Sequence, residues 1–309
     1  MPALSFLFFL LIQQMHCCLH RRPGQCMSIP SSPQSIIMFR SIYIRVVVLV
    51  LVVAFAACSK SDTVMPDPTV GLSKIATGYA AGAAAKVEVY ALSSNLTTGY
   101  QPLWIALYDS VSEKRITDAH VTMLPMMDMG TMKHSSPVEN PASHEAVNQL
   151  FPGAVVFIMS SMGGSWTIDI NVHNHSNNKE GKLTIPVTVA EPAQKRLLSF
   201  TSAIDNTTKY FLAMVEPAKP KVGINNLEFV LYKKASMMSF PADSSLSISF
   251  EPEMPTMNHG SPNNVNPVHS GNGHYKGKVN FTMTGLWRLQ LQLKSGTQLA
   301  KADSLDIDF

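Results

Sequence analysis

The chain has 309 residues, of which 46% are apolar and only 15% charged, and its formal net charge is +3. Such a length is too great for one ordinary β-domain and suits two. With so weak a charge and no basic stripe interleaved with aromatics, nucleic acid is excluded as an expected partner.

Taken in chain order, residues 1–37 hold an apolar run from Leu4 to Ile12, Cys17, Cys18, Cys26 and a Pro/Ser stretch. A second and complete export signal begins at Met38. Arg40 and Arg45 supply its positive start, and Val46 to Ala57 an apolar stretch of signal-peptide length, too short to span a bilayer. Phe55-Ala56-Ala57-Cys58 resembles the lipobox of bacterial lipoproteins. The expectation is a signal peptide over 38–57, cleavage before Cys58 and a lipid on that residue. Residues 1–37 then read as an extension ahead of the true start. An uncleaved membrane anchor with an incidental cysteine is the alternative. The protein would sit in the cell envelope, held to the membrane by its lipid; Ser59 is compatible with the outer membrane, on its periplasmic or surface face. Lipidation of Cys58 leaves no free thiol, which excludes disulfides, all-cysteine zinc sites and cysteine nucleophiles from the mature chain. Residues 58–85, rich in Ser, Asp, Pro, Gly and Ala, have the composition of a tether.

Beyond the tether the sequence repeats at a period of about 124 residues. Leu103 to Tyr108 matches Leu227 to Tyr232, and Phe157-Ile-Met159 matches Phe281-Thr-Met283. Gly164-Ser-Trp166 matches Gly285-Leu-Trp287. The order never changes, which points to tandem duplication. Each copy alternates apolar and polar residues, as in Trp166, Ile168, Ile170 and Val172, or Trp287, Leu289, Leu291 and Leu293. That period of two belongs to strands with one buried face. No long amphipathic helix is visible. The expected fold is all-β, two tandem β-sandwiches over 86–190 and 196–309, divided near Glu191-Pro192.

The second copy carries Met254-Pro255-Thr-Met257, Gly273-His-Tyr275-Lys-Gly277 and Phe281-Thr-Met283-Thr-Gly285-Leu-Trp287. This order resembles the YtkA-like domain, an immunoglobulin-like sandwich related in style to FixH and CopC-type domains. The first copy departs from it, lacking the Gly-x-Tyr and inserting Met162 and Gly163 before Gly164. The resemblance implies a periplasmic or surface module, often associated with copper or other metals.

Each copy offers Met-x2-Met-x-His, with another His ten residues on. These are Met129, Met132, His134 and His144, then Met254, Met257, His259 and His269. Thioether sulfur prefers Cu(I) and imidazole also suits copper, so the two loops are the candidate metal ligands. Methionine is equally a gap-filling core residue, and a packing role for the loops competes with metal binding. Met159 and Met283 lie in strand-like runs and are expected in the core, with Trp166 and Trp287 as core anchors. His173 and His175 read as a solvated strand end, and His120 stands alone. No nucleophile elbow, phosphate loop or metalloprotease helix is present, so no enzyme is expected. The two functional expectations are an anchored copper-binding module and a non-catalytic scaffold presenting its sandwiches to another envelope protein or a glycan.

Overall fold

The computed structural model describes residues 66–309. Cys58, the expected signal peptide and the extension expected before it lie outside the described residues. No helix among those described is long and apolar enough to cross a membrane.

The described chain is all-β and forms two immunoglobulin-like sandwiches. The first has nine main strands: β1 (Ser73–Ala80), β2 (Ala85–Ala91), β3 (Gly99–Asp109), β4 (Ala119–Asp128), β5 (Lys133–Ser135), β6 (Val138–Glu139), β7 (Phe151–Phe157), β8 (Ser165–Asn174) and β9 (Lys179–Val187). One sheet has the order β1-β2-β3-β7-β6 and the other β9-β8-β4-β5. The second sandwich has β10 (Leu197–Thr201), β11 (Lys209–Glu216), β12 (Gly223–Lys233), β13 (Ser247–Met254), β14 (His259–Gly260), β15 (Val265–Gly271), β16 (His274–Phe281), β17 (Leu286–Ser295) and β18 (Gln298–Asp308). Its sheets run β10-β11-β12-β16-β15 and β14-β13-β17-β18.

The alternation read in the sequence explains the layering. Along β8, Trp166, Ile168, Ile170 and Val172 are buried and the residues between them face outward. They meet Val87, Val89, Ile105 and Leu107 of the facing sheet in one core. In β17, Trp287, Leu289, Leu291 and Leu293 do the same against Leu227, Phe229 and Leu231. The repeated block Leu103–Tyr108 lies in β3 and Leu227–Tyr232 in β12, each within the larger sheet of its sandwich.

The tether expected over 58–85 ends earlier than its composition suggests. Ser73–Ala80 forms a strand paired antiparallel with β2, so the first sandwich begins at Ser73. Glycine and alanine are depleted in strands by themselves, and here pairing with β2 decides the outcome. A third apolar cluster joins the sandwiches, with Val156 packed among Leu197, Phe211, Val230, Tyr232 and Phe240.

Candidate functional site

The methionine–histidine segments are hairpins at one end of the smaller sheet in each sandwich. In the first, β4 and β5 pair so that Met127 faces His134. The Met129 N–H donates to the Met132 carbonyl at 2.9 Å, closing a turn from which both side chains are exposed. In the second, Met254 faces His259.

That register corrects the repeat. The structural counterpart of Met254 is Met127 rather than Met129. Six residues separate Met127 from His134, whereas four separate Met254 from His259, so the first hairpin carries a longer turn. Met127 and Met254 are both buried beside their tryptophans, while Met129 and Met132 ride on the turn. The shared Met-x2-Met spacing is therefore not a shared geometry.

The shared element is a corner of one histidine, one tryptophan and one methionine. His134 stands edge-on to Trp166 with ring centroids 5.6 Å apart, and His259 to Trp287 at 5.9 Å. Each indole N–H donates to a methionine carbonyl at 3.0 Å, Trp166 to Met159 and Trp287 to Met283.

The first corner goes further. His134 is buried at 6% exposure, and its Nδ1 lies 2.7 Å from the Ser135 carbonyl oxygen. A carbonyl only accepts, so Nδ1 carries the proton. In the neutral ring Nε2 then presents a lone pair, and it lies 3.3 Å from the Met159 sulfur. In that neutral tautomer two lone-pair atoms face each other. The turn from β7 to β8 fixes this contact. A Cβ on Gly163 would fall 2.5 Å from the Met159 methyl, and one on Gly164 would fall 2.3 Å from the Asp128 carbonyl oxygen. Ser135 holds the other side: its hydroxyl donates to the Pro125 carbonyl, and its N–H to the Met237 carbonyl of the second sandwich, both at 2.8 Å. Met159, expected as core, is half-buried and belongs to this corner. Met283, also expected as core, is 37% exposed.

The structure does not bring His144 or His269 to these corners. After β5 the chain crosses to the other sheet as β6, and the following loop carries His144 to the opposite end of β4. There it lies 2.8 Å from Asp118. His269 is exposed on β15, edge-on to Tyr275 at 5.3 Å. The ten-residue spacing reflects loop lengths alone. At the end of β4 where His144 arrives, the fold gathers His120, His173 and His175 as well. The sequence shows His173 and His175 as a pair on one segment, but their meeting with His120 and His144 depends on cross-strand register and the course of the loop.

Among solved structures, domains 5–6 of the S-layer protein SbsC are 13% identical to this chain, covering 77% of it and 97% of that chain, with a TM-score of 0.26. A DUF4785 family protein from Legionella pneumophila is 9% identical over 73% of this chain and 48% of that one, with a TM-score of 0.26. Invasin, a bacterial integrin-binding protein, is 9% identical over 73% and 39%, with a TM-score of 0.23. No curated protein matches the chain. The second sandwich carries the Gly-x-Tyr in full: Gly273 has φ +75° with the Leu231 carbonyl against it, and the Tyr275 hydroxyl donates to the Leu246 carbonyl at 2.7 Å. In agreement with that, residues 205–292 match the family model described as YtkA-like.

Proposed function

We propose that the chain is an envelope-anchored, non-catalytic scaffold of two sandwiches that binds Cu(I), with the primary site between His134 Nε2 and Met159 Sδ. The observation that carries this reading is the 3.3 Å approach of two lone-pair atoms whose tautomer is set by a backbone carbonyl. Histidines that ligate metals commonly donate their other ring N–H to such a carbonyl. A thioether beside an imidazole is a soft pair suited to Cu(I), and neither ligand needs to lose a proton. Met162, 94% exposed on the turn after Met159, and Met129 and Met132 on the adjacent hairpin supply further sulfurs. In the second sandwich His259 stands edge-on to Trp287 in the same way, and Met257 and Met283 of the neighbouring turns are exposed. The lipid on Cys58 and the short tether would hold both sandwiches at the membrane, within reach of a donor or acceptor of copper in the envelope.

The contact has one competing explanation, a protonated His134 donating an N–H to sulfur. Titration of the full chain with Cu(I) against a chelator of moderate affinity separates the two. The expected result is one stronger site, weakened at least tenfold by Met159→Leu or His134→Ala, and one weaker site that depends on His259. If the chain never competes with the chelator, the copper reading fails and the scaffold alone remains.

A further inference from the structure

We propose that Asp118, His120, His144 and His175 form a separate site for a borderline divalent cation, of the Zn(II) and Cu(II) class, on the first sandwich. Asp118 Oδ1 lies 2.8 Å from His144 Nδ1 and 2.6 Å from His175 Nδ1. One ligand atom from each of these three residues falls within 4.8 Å of the others. Ligand atoms on a tetrahedral Zn(II), with bonds of about 2.0–2.2 Å, stand roughly 3.3 Å apart, so side-chain adjustment alone closes the set. The His120 ring is 4.7 Å from His175 and 5.6 Å from His144, centroid to centroid, in reach to complete four-coordination. His173, 5.0 Å from His175, stands at the rim with Asn178 and Glu180 as its partners.

The backbone that presents these side chains is fixed. His120 and His173 are cross-strand partners in β4 and β8. Asn174, between His173 and His175, is fully buried, so both histidines face the other way, toward solvent. Its amide donates to the Ala83 carbonyl at 3.2 Å, and Asn177 donates to the same oxygen at 3.1 Å. The loop bearing His144 is clamped on both sides, by Ala119 N–H to the His144 carbonyl and Ala146 N–H to the Thr117 carbonyl, each 2.8 Å. Asp118 and His144 are exposed, leaving a path for an ion.

Packing does not require the cluster. The second sandwich builds the same strand pair with Ser247 facing Lys294, where the first has His120 facing His173. The cluster offers imidazole nitrogens from His120, His144 and His175 beside the Asp118 carboxylate. As neutral ligands they suit a borderline cation, and no sulfur is involved.

The test is calorimetric titration of the untagged full chain with Zn(II), and Cu(II) titration read by electron paramagnetic resonance. The expected result is one Zn(II) bound per chain, at least tenfold more weakly in His144→Ala/His175→Ala, with imidazole nitrogen couplings on Cu(II) lost in the same variant. His134→Ala should leave Zn(II) binding unchanged, which separates this site from the thioether corner. Absence of Zn(II) binding overturns the proposal, as does unchanged affinity in the double variant. Should that variant fail to fold, His120→Ala and Asp118→Asn replace it, each expected to weaken binding severalfold; wild-type affinity in both overturns the proposal equally.

Discussion

Trp166 and Trp287 fill equivalent places, and each indole N–H donates to a methionine carbonyl at 3.0 Å. The two bonds differ in surroundings, since Met159 is half-buried against the core whereas Met283 stands 37% exposed. A carbonyl that loses its donor is rehydrated cheaply at the surface and poorly inside, where the loss costs about 1–3 kcal/mol. Trp166→Phe should therefore destabilise the protein more than Trp287→Phe, by about 1 kcal/mol beyond the shared loss of ring volume. Urea unfolding of the two variants measures the difference; equal losses would show that the carbonyl bonds contribute nothing separable. Trp166→Phe should also weaken Cu(I), because the Met159 backbone loses one of its restraints.

At the level of elements, the turn from β1 to β2 is pressed onto the start of β9. A Cβ on Gly181 would lie 2.4 Å from the Ala83 nitrogen and 2.8 Å from the Ala80 carbonyl oxygen. Gly82 approaches from the other side, its Cβ position 2.2 Å from the Glu180 carbonyl oxygen. Neither neighbour is a side chain that can swing away, so Gly181→Ala must push the turn and the strand apart at a cost of about 1–3 kcal/mol or more. A thermal unfolding midpoint lowered by several degrees is expected, and an unchanged midpoint would mean that the turn yields freely. The same contact shows what one strand's sequence can and cannot tell. Alternation in β8 and β17 reveals their buried faces directly, because period two is a property of the strand itself. Ser73–Ala80 is hidden because its strand exists only through pairing with β2. The Met127–Met254 equivalence is hidden by the longer turn at Gly130 and Thr131, which lets a linear match align Met129 with the wrong partner. His120 and His173 face each other only once β4 and β8 are in register, and no pattern within either strand encodes that.

For the molecule as a whole, the two sandwiches meet at a polar clasp beside their apolar joint. Glu139 of β6 accepts from His274 Nε2 at 2.8 Å, from the Tyr232 hydroxyl at 2.5 Å and from the Tyr100 hydroxyl at 2.8 Å. His274 Nδ1 lies 2.8 Å from Glu228, to which Lys276 also approaches at 3.6 Å. With a carboxylate at each ring nitrogen, His274 is held as imidazolium. The hydrogen bond to Glu139 raises its pKa above the ordinary 6.5 against the opposing effect of burial. Burial pushes the Glu139 carboxyl up, but the bonds from His274 and Tyr232 outweigh it and bring its pKa below the ordinary 4.5. The stability that His274 contributes is fully present below pH 6.5 and is lost as pH rises through its raised value. The Glu139 contribution is fully present above pH 4.5 and is lost as pH falls through its lowered value. The clasp is therefore tightest between pH 4.5 and 6.5. Thermal unfolding followed across pH should show His274→Gln removing the decline on the alkaline side and Glu139→Gln removing the decline on the acid side. Small-angle scattering should find the angle between the sandwiches more variable in the wild type as pH rises through the raised His274 value, and at every pH in His274→Gln. A His274→Gln protein with the wild-type pH profile would show that the apolar cluster around Val156 and Phe211 holds the joint without the clasp.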